Sequence, residues 1–508
     1  MNRYLLIIAI AFASLLVGCK PEARVPNNAR TTQEVVSIYP DYRDIVVPPN
    51  IAPLNIMVKS EGKEFVASVE GKGAPVLAAA GSDGKLAFDS IEWRSLLADN
   101  KGGELSVTIY AKKDGEWLQH PAYKFSVAEE DIDSYLSYRL IEPSYELYRQ
   151  LGLYQRNLTN FNEAVIYENN DTYQEGENHC INCHNYQNYS TERMLFHVRG
   201  DHGGTVFSTS GKADKRIMVN DSILGNAVYP SWHPTKPWLV FSSNLTGQAF
   251  HLMDPQKIEV IDYGSDLIFY DAEHNIISNV LKTNSDMENF PCWTPDGKKV
   301  FYCSAHVAEF DTLAADKKDE RSDVVLRKYD KVRYNLMSIS FDESTRTWGT
   351  PQMEMDCASD SLSASVPRVS PDGRYVLFTL GKFGQFHIWH SSSDLFVKDL
   401  QTGEIRPLTA ANSDNVDSYH TWSSNGRWIV FSSRRDDGSY TRPYIAYFDK
   451  QGQAHKAFLL PQEDPEYNLL RMKSYNVPEL TRDAVRTNPD ELREVIYDDE
   501  HVGRVSYK

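Results

Sequence analysis

The chain has 508 residues, with 70 acidic and 53 basic side chains and a formal charge of −17. That length exceeds what one ordinary hydrophobic core organises, so two or three domains are expected. The acidic balance, with no basic run against it, excludes the polyanion-binding surface that nucleic acid requires.

Residues 1–18 have the form of a secretory signal, with Arg3 in a short polar start followed by the apolar run Leu5 to Val17. The run falls short of the roughly 20 residues needed to span a bilayer. Leu16-Val17-Gly18-Cys19 resembles the bacterial lipobox, which implies cleavage before Cys19, lipidation of its thiol and attachment to a membrane by acyl chains. Lys20 stands where an aspartate would signal inner-membrane retention, so the resemblance implies an outer-membrane lipoprotein facing the periplasm or the cell surface. Residues 19–44 are expected to form a polar tether, mobile between Pro26 and Asp41.

Over residues 45–128, short alternating runs such as Ile56-Met57-Val58, Phe65 to Val69, Leu105 to Ile109 and Lys124 to Val127 are separated by turns at Ser82-Asp83-Gly84 and Asp114-Gly115. This pattern predicts an N-terminal β-sandwich. From residue 129 the spacing of Tyr135, Leu136, Leu140, Tyr145, Leu147, Tyr148 and Leu151 predicts helix, interrupted at Pro143. Residues 129–190 are therefore expected to be a short helical bridge that delivers the cysteine motif described below.

Residues 191–475 repeat one pattern four times. Tyr229-Pro230-Ser231-Trp232-His233-Pro234 leads to Trp238 to Ser243, and Phe290-Pro291-Cys292-Trp293-Thr294-Pro295-Asp296-Gly297 leads to Val300 to Ser304. Val366-Pro367-Arg368-Val369-Ser370-Pro371-Asp372-Gly373 and Tyr419-His420-Thr421-Trp422-Ser423-Ser424-Asn425-Gly426 follow the same plan. Each predicts a strand, a tight turn in which proline sets φ and glycine or asparagine takes the left-handed position, and a buried strand. The repeats resemble the WD40-like repeats of TolB-type β-propellers. That resemblance implies a mainly β fold with a C-terminal propeller, whose length suits six blades and leaves five or seven open. The charged segment Asp311 to Lys331 is expected to be a solvated loop, and residues 476–508 a tail that closes the last blade and carries a helix near Pro489 to Ile496.

Cys180-Ile181-Asn182-Cys183-His184 has the spacing of a c-type haem attachment site. On one helical turn, residues three apart share a face, so both thiols can reach the two vinyl groups on one porphyrin edge while His184 supplies the proximal iron ligand. One covalent haem c is expected. A Cys180–Cys183 disulfide, a zinc site and a thioredoxin-like redox pair remain alternatives. His197 is the favoured sixth ligand, with His179, His202, Met194 and Met218 as others, and Arg199 is placed to pair with a haem propionate. Of six cysteines, Cys292, Cys303 and Cys357 are left over, and a Cys292–Cys303 disulfide is allowed without being required.

No phosphate loop, nucleophile elbow or His-Glu-x-x-His pattern occurs, so a hydrolase has no support. The leading expectation is one-electron transfer or redox sensing at the cell envelope, with the propeller face docking a protein partner. A propeller scaffold with haem as a structural cross-link and a peroxidase-like haem enzyme are the alternatives.

Overall fold

In the computed structural model of the protein, the described residues are 23–142, 151–169, 179–251, 253 and 256–508. The fold is mainly β and divides into two units: residues 1–129 with Pro461–Leu470, and residues 130–460 with 471–508. No helix among the described residues is long and apolar enough to cross a membrane.

In the smaller unit the expected strands form at Ile56–Val58, Glu64–Glu70, Glu104–Lys113 and Tyr123–Val127. They belong to a three-stranded and a seven-stranded sheet. The tether is shorter than expected, because Arg30–Thr31 pairs in parallel with Glu116–Gln119 and Ile38–Tyr39 pairs with Ile56–Val58. Val36 and Ile38 are buried, and that apolar burial fixes a segment whose polarity alone suggested mobility. A helix over Ser90–Asp99 was not expected. The Asp89 carboxylate caps it by accepting from the Ile91 and Glu92 amides at 2.9 and 3.0 Å, and it buries Trp93, Leu96 and Leu97.

The described residues of the larger unit form six sheets. Five begin with an inner strand that leads into the rest of its own sheet: His179–Gln187, Asn226–Trp232, Asp286–Trp293, Ser363–Val369 and Asp417–Trp422. In the other sheet the inner strand is Ser474–Thr481, paired antiparallel with Tyr135–Ile141, which is followed by Gly152–Asn157 and Glu163–Glu168. Each inner strand packs against the next, and Ser474–Thr481 also meets His179–Gln187, so the succession returns on itself. The helical bridge is thus not present over the described residues. Tyr135–Ile141 and Gly152–Asn157 are strands, because pairing with the far C-terminal strand outweighs the local helical spacing; residues 143–150 lie outside the described residues.

The repeat turns form as expected, and for a visible reason. In Ser370 to Gly373 the Ser370 hydroxyl donates to Asp372 at 2.5 Å and accepts from the Tyr375 amide at 2.9 Å, while Gly373 takes φ +72°. Thr294-Pro295-Asp296-Gly297 and Ser423-Ser424-Asn425-Gly426 repeat this with hydroxyl-to-side-chain bonds of 2.6 Å and glycine φ of +68° and +67°. Trp232, Trp293, Val369 and Trp422 are buried as the repeat anchors.

The charged segment after Asp311 is more ordered than a loop. Lys318–Arg327 is a helix, and Arg321 is buried, donating to the carbonyls of Tyr263 and Asn284 at 2.9 Å each. The tail carries the expected helix at Pro489–Tyr497, with the Asn488 side chain as its cap. Beyond it Gly503–Arg504 and Ser506–Tyr507 pair with the outer strands Lys212–Ile217 and Ile276–Leu281.

Closure by the C-terminal strand makes a definite prediction. Tyr475 is fully buried, its ring 4.8 Å from Tyr138 in an edge-on contact. Tyr475→Ala should cost about 3–5 kcal/mol in urea unfolding. A loss below about 1 kcal/mol would mean that this strand contributes little to closure.

Candidate functional site

The cysteine motif lies on the inner strand His179–Gln187, not on a helical turn. In an unbroken strand, residues three apart face opposite sides, so the spacing that suits a helix would separate the thiols. The strand is broken, however. Its register against Ser190–Gly200 shifts between Asn182 and Asn185, and Cys183 occupies the left-handed region at φ +53°.

This bulge is a repeat feature. Tyr229, Phe290, Val366, Tyr419 and Val477 hold the corresponding places in the other five inner strands, each with φ between +48° and +52°. Phe290, Val366 and Tyr419 share one buried cluster with Tyr229 and Val477 packed against it. The Cys183 thiol lies within electrostatic reach of Tyr229 and Tyr419, which places it in the same group. Cys183-His184-Asn185-Tyr186 is therefore the structural counterpart of Tyr229-Pro230-Ser231-Trp232, and Val477-Pro478-Glu479-Leu480 is another. Sequence reading found four of these six repeats.

Cys180 and Cys183 are half-buried free thiols. Cys180 stands directly across from Arg199, and Arg199 is exposed. His184 is buried, its ring 6.0 Å from Tyr186 edge-on; the Val477 backbone approaches the ring, yet neither nitrogen has a partner at hydrogen-bond geometry. Burial, aided by the nearby Arg139 guanidinium, pushes its pKa down to about 3, so the imidazole is neutral at ordinary pH. The motif is held from behind: Asn185 Nδ2 and the Tyr186 amide donate to Glu479 at 3.0 and 3.2 Å, and the Tyr186 hydroxyl donates to Ser137 at 2.9 Å.

His197 does not join this group. Its Nδ1 meets Thr205 Oγ1 at 2.8 Å and its ring packs on Phe241, whereas His184 lies beside Arg139 and the backbone of Val477. The two histidines face different neighbouring sheets. His202 pairs with Asp499 at 2.9 Å and His179 stacks on Tyr497, while Met194 and Met218 are core side chains. Cys292 and Cys303 are not bonded: Cys292 sits across from Phe301 and Cys303 from Asn289, and both thiols are free and buried. Cys19 lies outside the described residues.

Two unpaired thiols and a neutral imidazole are the donor types a c-type haem uses, but Cys180 packs against the cluster of Ile181 and Phe196 whereas Cys183 lies within electrostatic reach of Tyr229 and Tyr419. Among the described residues, the one compact group of metal-binding side chains is Asp271, Glu273 and His274. Asp271 there already accepts from His274 Nδ1 and from Arg346, both at 2.9 Å, so the group is satisfied as an ion-paired turn.

No family model matches the sequence, and no curated protein is similar to it. Solved structures with similarity include an oligogalacturonate lyase in complex with manganese, 12% identical over 65% of this chain and 73% of that one, TM-score 0.35. Kuenenia stuttgartiensis hydrazine synthase is 10% identical over 69% of this chain and 47% of its own, TM-score 0.43. Prolyl oligopeptidase B from Galerina marginata is 11% identical over 69% and 42%, TM-score 0.36. The chain thus spans less than half the length of the last two.

The pair Tyr419-His420 isolates what burial does to the motif histidine. His420 follows its ring residue as His184 follows Cys183, is fully buried, and meets the Leu377 carbonyl through Nε2 at 3.1 Å. Burial takes its pKa from 6.5 to about 3. The unfolded chain therefore takes up the proton first, and stability is unaffected well above pH 6.5 and falls as pH drops from there toward 3. In His420→Gln that fall should be shallower by up to about 1.4 kcal/mol per pH unit, measured by urea unfolding between pH 7.5 and 4. Equal slopes would show that the ring titrates in the fold as it does in the unfolded chain.

Proposed function

We propose that this chain is an exported outer-membrane lipoprotein, anchored through Cys19, that carries one c-type haem on Cys180 and Cys183. His184 is the axial ligand. The observation that carries this reading is the buried neutral imidazole of His184, with neither nitrogen at hydrogen-bond geometry to a partner, in a motif with two unpaired thiols. Haem bound there would supply a one-electron couple. The protein's own part is to hold the imidazole in place through Glu479, Ser137 and the surrounding core, and to offer Arg199 as a counter-charge for a propionate. The sixth position is not given to His197.

In this reading the six sheets are the six blades of one TolB-like propeller, the two sheets of the smaller unit form a β-sandwich, and the function is electron transfer or redox sensing with a propeller face as docking surface for a protein partner.

A second reading rests on the other repeats. Tyr419-His420 places a buried neutral histidine at the corresponding position with no cysteine, so such a histidine can serve the fold alone. The chain would then be a propeller scaffold that binds an envelope protein, peptide or glycan.

Expression with haem-attachment machinery decides between them. One covalent haem per chain should survive denaturing electrophoresis and vanish in the double variant Cys180→Ala, Cys183→Ala, while His184→Met should retain haem and raise its potential. Folded wild-type chain without covalent haem would overturn the haem reading and leave the scaffold.

A further inference from the structure

The strands Trp238–Phe250 and Ile258–Asp271 are the two longest among the described residues and pair along their whole length. Asp262, on the second, is 1% exposed. Asn244 and Asn289 each donate a side-chain amide to its Oδ2, at 3.1 and 3.0 Å, while Oδ1 has no partner. Burial raises the pKa to about 7, and no cationic side chain acts to lower it. A carboxylate clamped on one oxygen and bare on the other, with no counter-charge, has a fixed orientation and an unmet electrostatic need.

The same residue lines a small cavity with Glu259, Tyr334 and Gln385, in which there is room for roughly one water-sized particle. Gln385 is the independent sign of a ligand. It is 1% exposed, and its backbone is pinned by Ser365 Oγ donating to its carbonyl at 2.6 Å. The Tyr229 hydroxyl approaches its side chain, yet neither amide atom has a partner at hydrogen-bond geometry. Glu259, on the far wall, meets His390 Nε2 at 3.1 Å, and both side chains are buried. Three of the lining residues, Asp262, Glu259 and Gln385, thus carry side-chain oxygen acceptors, and Glu259 Oε2 also accepts from Gln256 Nε2. Gly384, at φ +70°, keeps it open: a Cβ there would come within 3.1 Å of Glu259.

We propose that Asp262, Glu259 and Gln385 bind one compact cation, with Asn244 and Asn289 positioning the Asp262 carboxylate. Two carboxylates and an amide oxygen suit either an oxygen-liganded divalent metal or a small protonated amine, and the Tyr329 and Tyr334 residues complete the polar lining. The site does not depend on haem attachment. Tyr229 lies within electrostatic reach of both Asp262 and Cys183.

The test uses the full chain and the double cysteine variant, so that failure of haem attachment cannot be confused with failure of this site. Calorimetric titration with the chlorides of calcium, magnesium and manganese forms one arm, and ammonium and methylammonium form the other. Saturable binding of one cation per chain is expected in one arm, weakened at least tenfold by Asp262→Asn and by Gln385→Leu. Circular dichroism should match the wild type in each variant, and Gln385→Leu keeps the test decisive if Asp262→Asn does not fold. Absence of saturable binding in both arms would overturn the proposal. So would binding that survives both substitutions, which would place the cation elsewhere, for instance at Asp271.

Discussion

The larger unit depends on a backbone conformation that its residues resist. Six inner strands each force one non-glycine residue into the left-handed region, two of them the β-branched Val366 and Val477. Each such placement costs on the order of 1–3 kcal/mol and persists only where surrounding packing over-determines it. The return is that the bulge turns one side chain per strand out of the pleat and into a shared cluster, where Phe290, Val366 and Tyr419 are all nearly inaccessible. A ring of inner strands without these side chains would leave their backbones around a void, and interiors do not tolerate voids of that kind.

This constraint explains what could be read from the sequence. The four segments with proline or histidine after the bulge and a tight turn behind it are local signals, since a turn such as Ser370 to Gly373 is specified by residues within one stretch. Cys183-His184-Asn185-Tyr186 obeys the same rule but lacks both the proline and the glycine turn. Its turn runs through Asn188 and Tyr189, which take positive φ without glycine. Strand Tyr135–Ile141 was illegible for a different reason. Its partner is Ser474–Thr481, at the other end of the chain, and no window around Tyr135 contains that information. The helical spacing there was real but had no tertiary support.

The cysteine motif consequently carries two sets of demands. As a repeat, residue 183 must fill a place otherwise taken by tyrosine, phenylalanine or valine, and residue 184 must be buried without charge. As the haem site proposed here, the same residues would have to present a thiol and a bare imidazole nitrogen. Histidine meets both, because a neutral buried ring is what a metal ligand and a core side chain have in common. Cysteine does too, since a free thiol packs as a small apolar group. The pentapeptide was legible as chemistry, and its strand setting was hidden by that legibility.

The residue just before each bulge extends the pattern. Asn182, Asn289, Ser365, Ser418 and Asn476 occupy it in five strands, and Val228 in the sixth, all of them buried. A layer of small polar groups thus lies beside the apolar cluster, and a buried polar layer must be satisfied internally or by something bound. Ser365 spends its hydroxyl on the Gln385 backbone, and Asn289 spends its amide on Asp262. The overlong hairpin that brings Asp262 to Asn289 has no counterpart among the other sheets, whose second and third strands stop at eight residues or fewer outside the sheet of Cys180. Repetition accounts for the frame; the departures from it, the thiol at residue 183 and the carboxylate at residue 262, both lie within electrostatic reach of Tyr229.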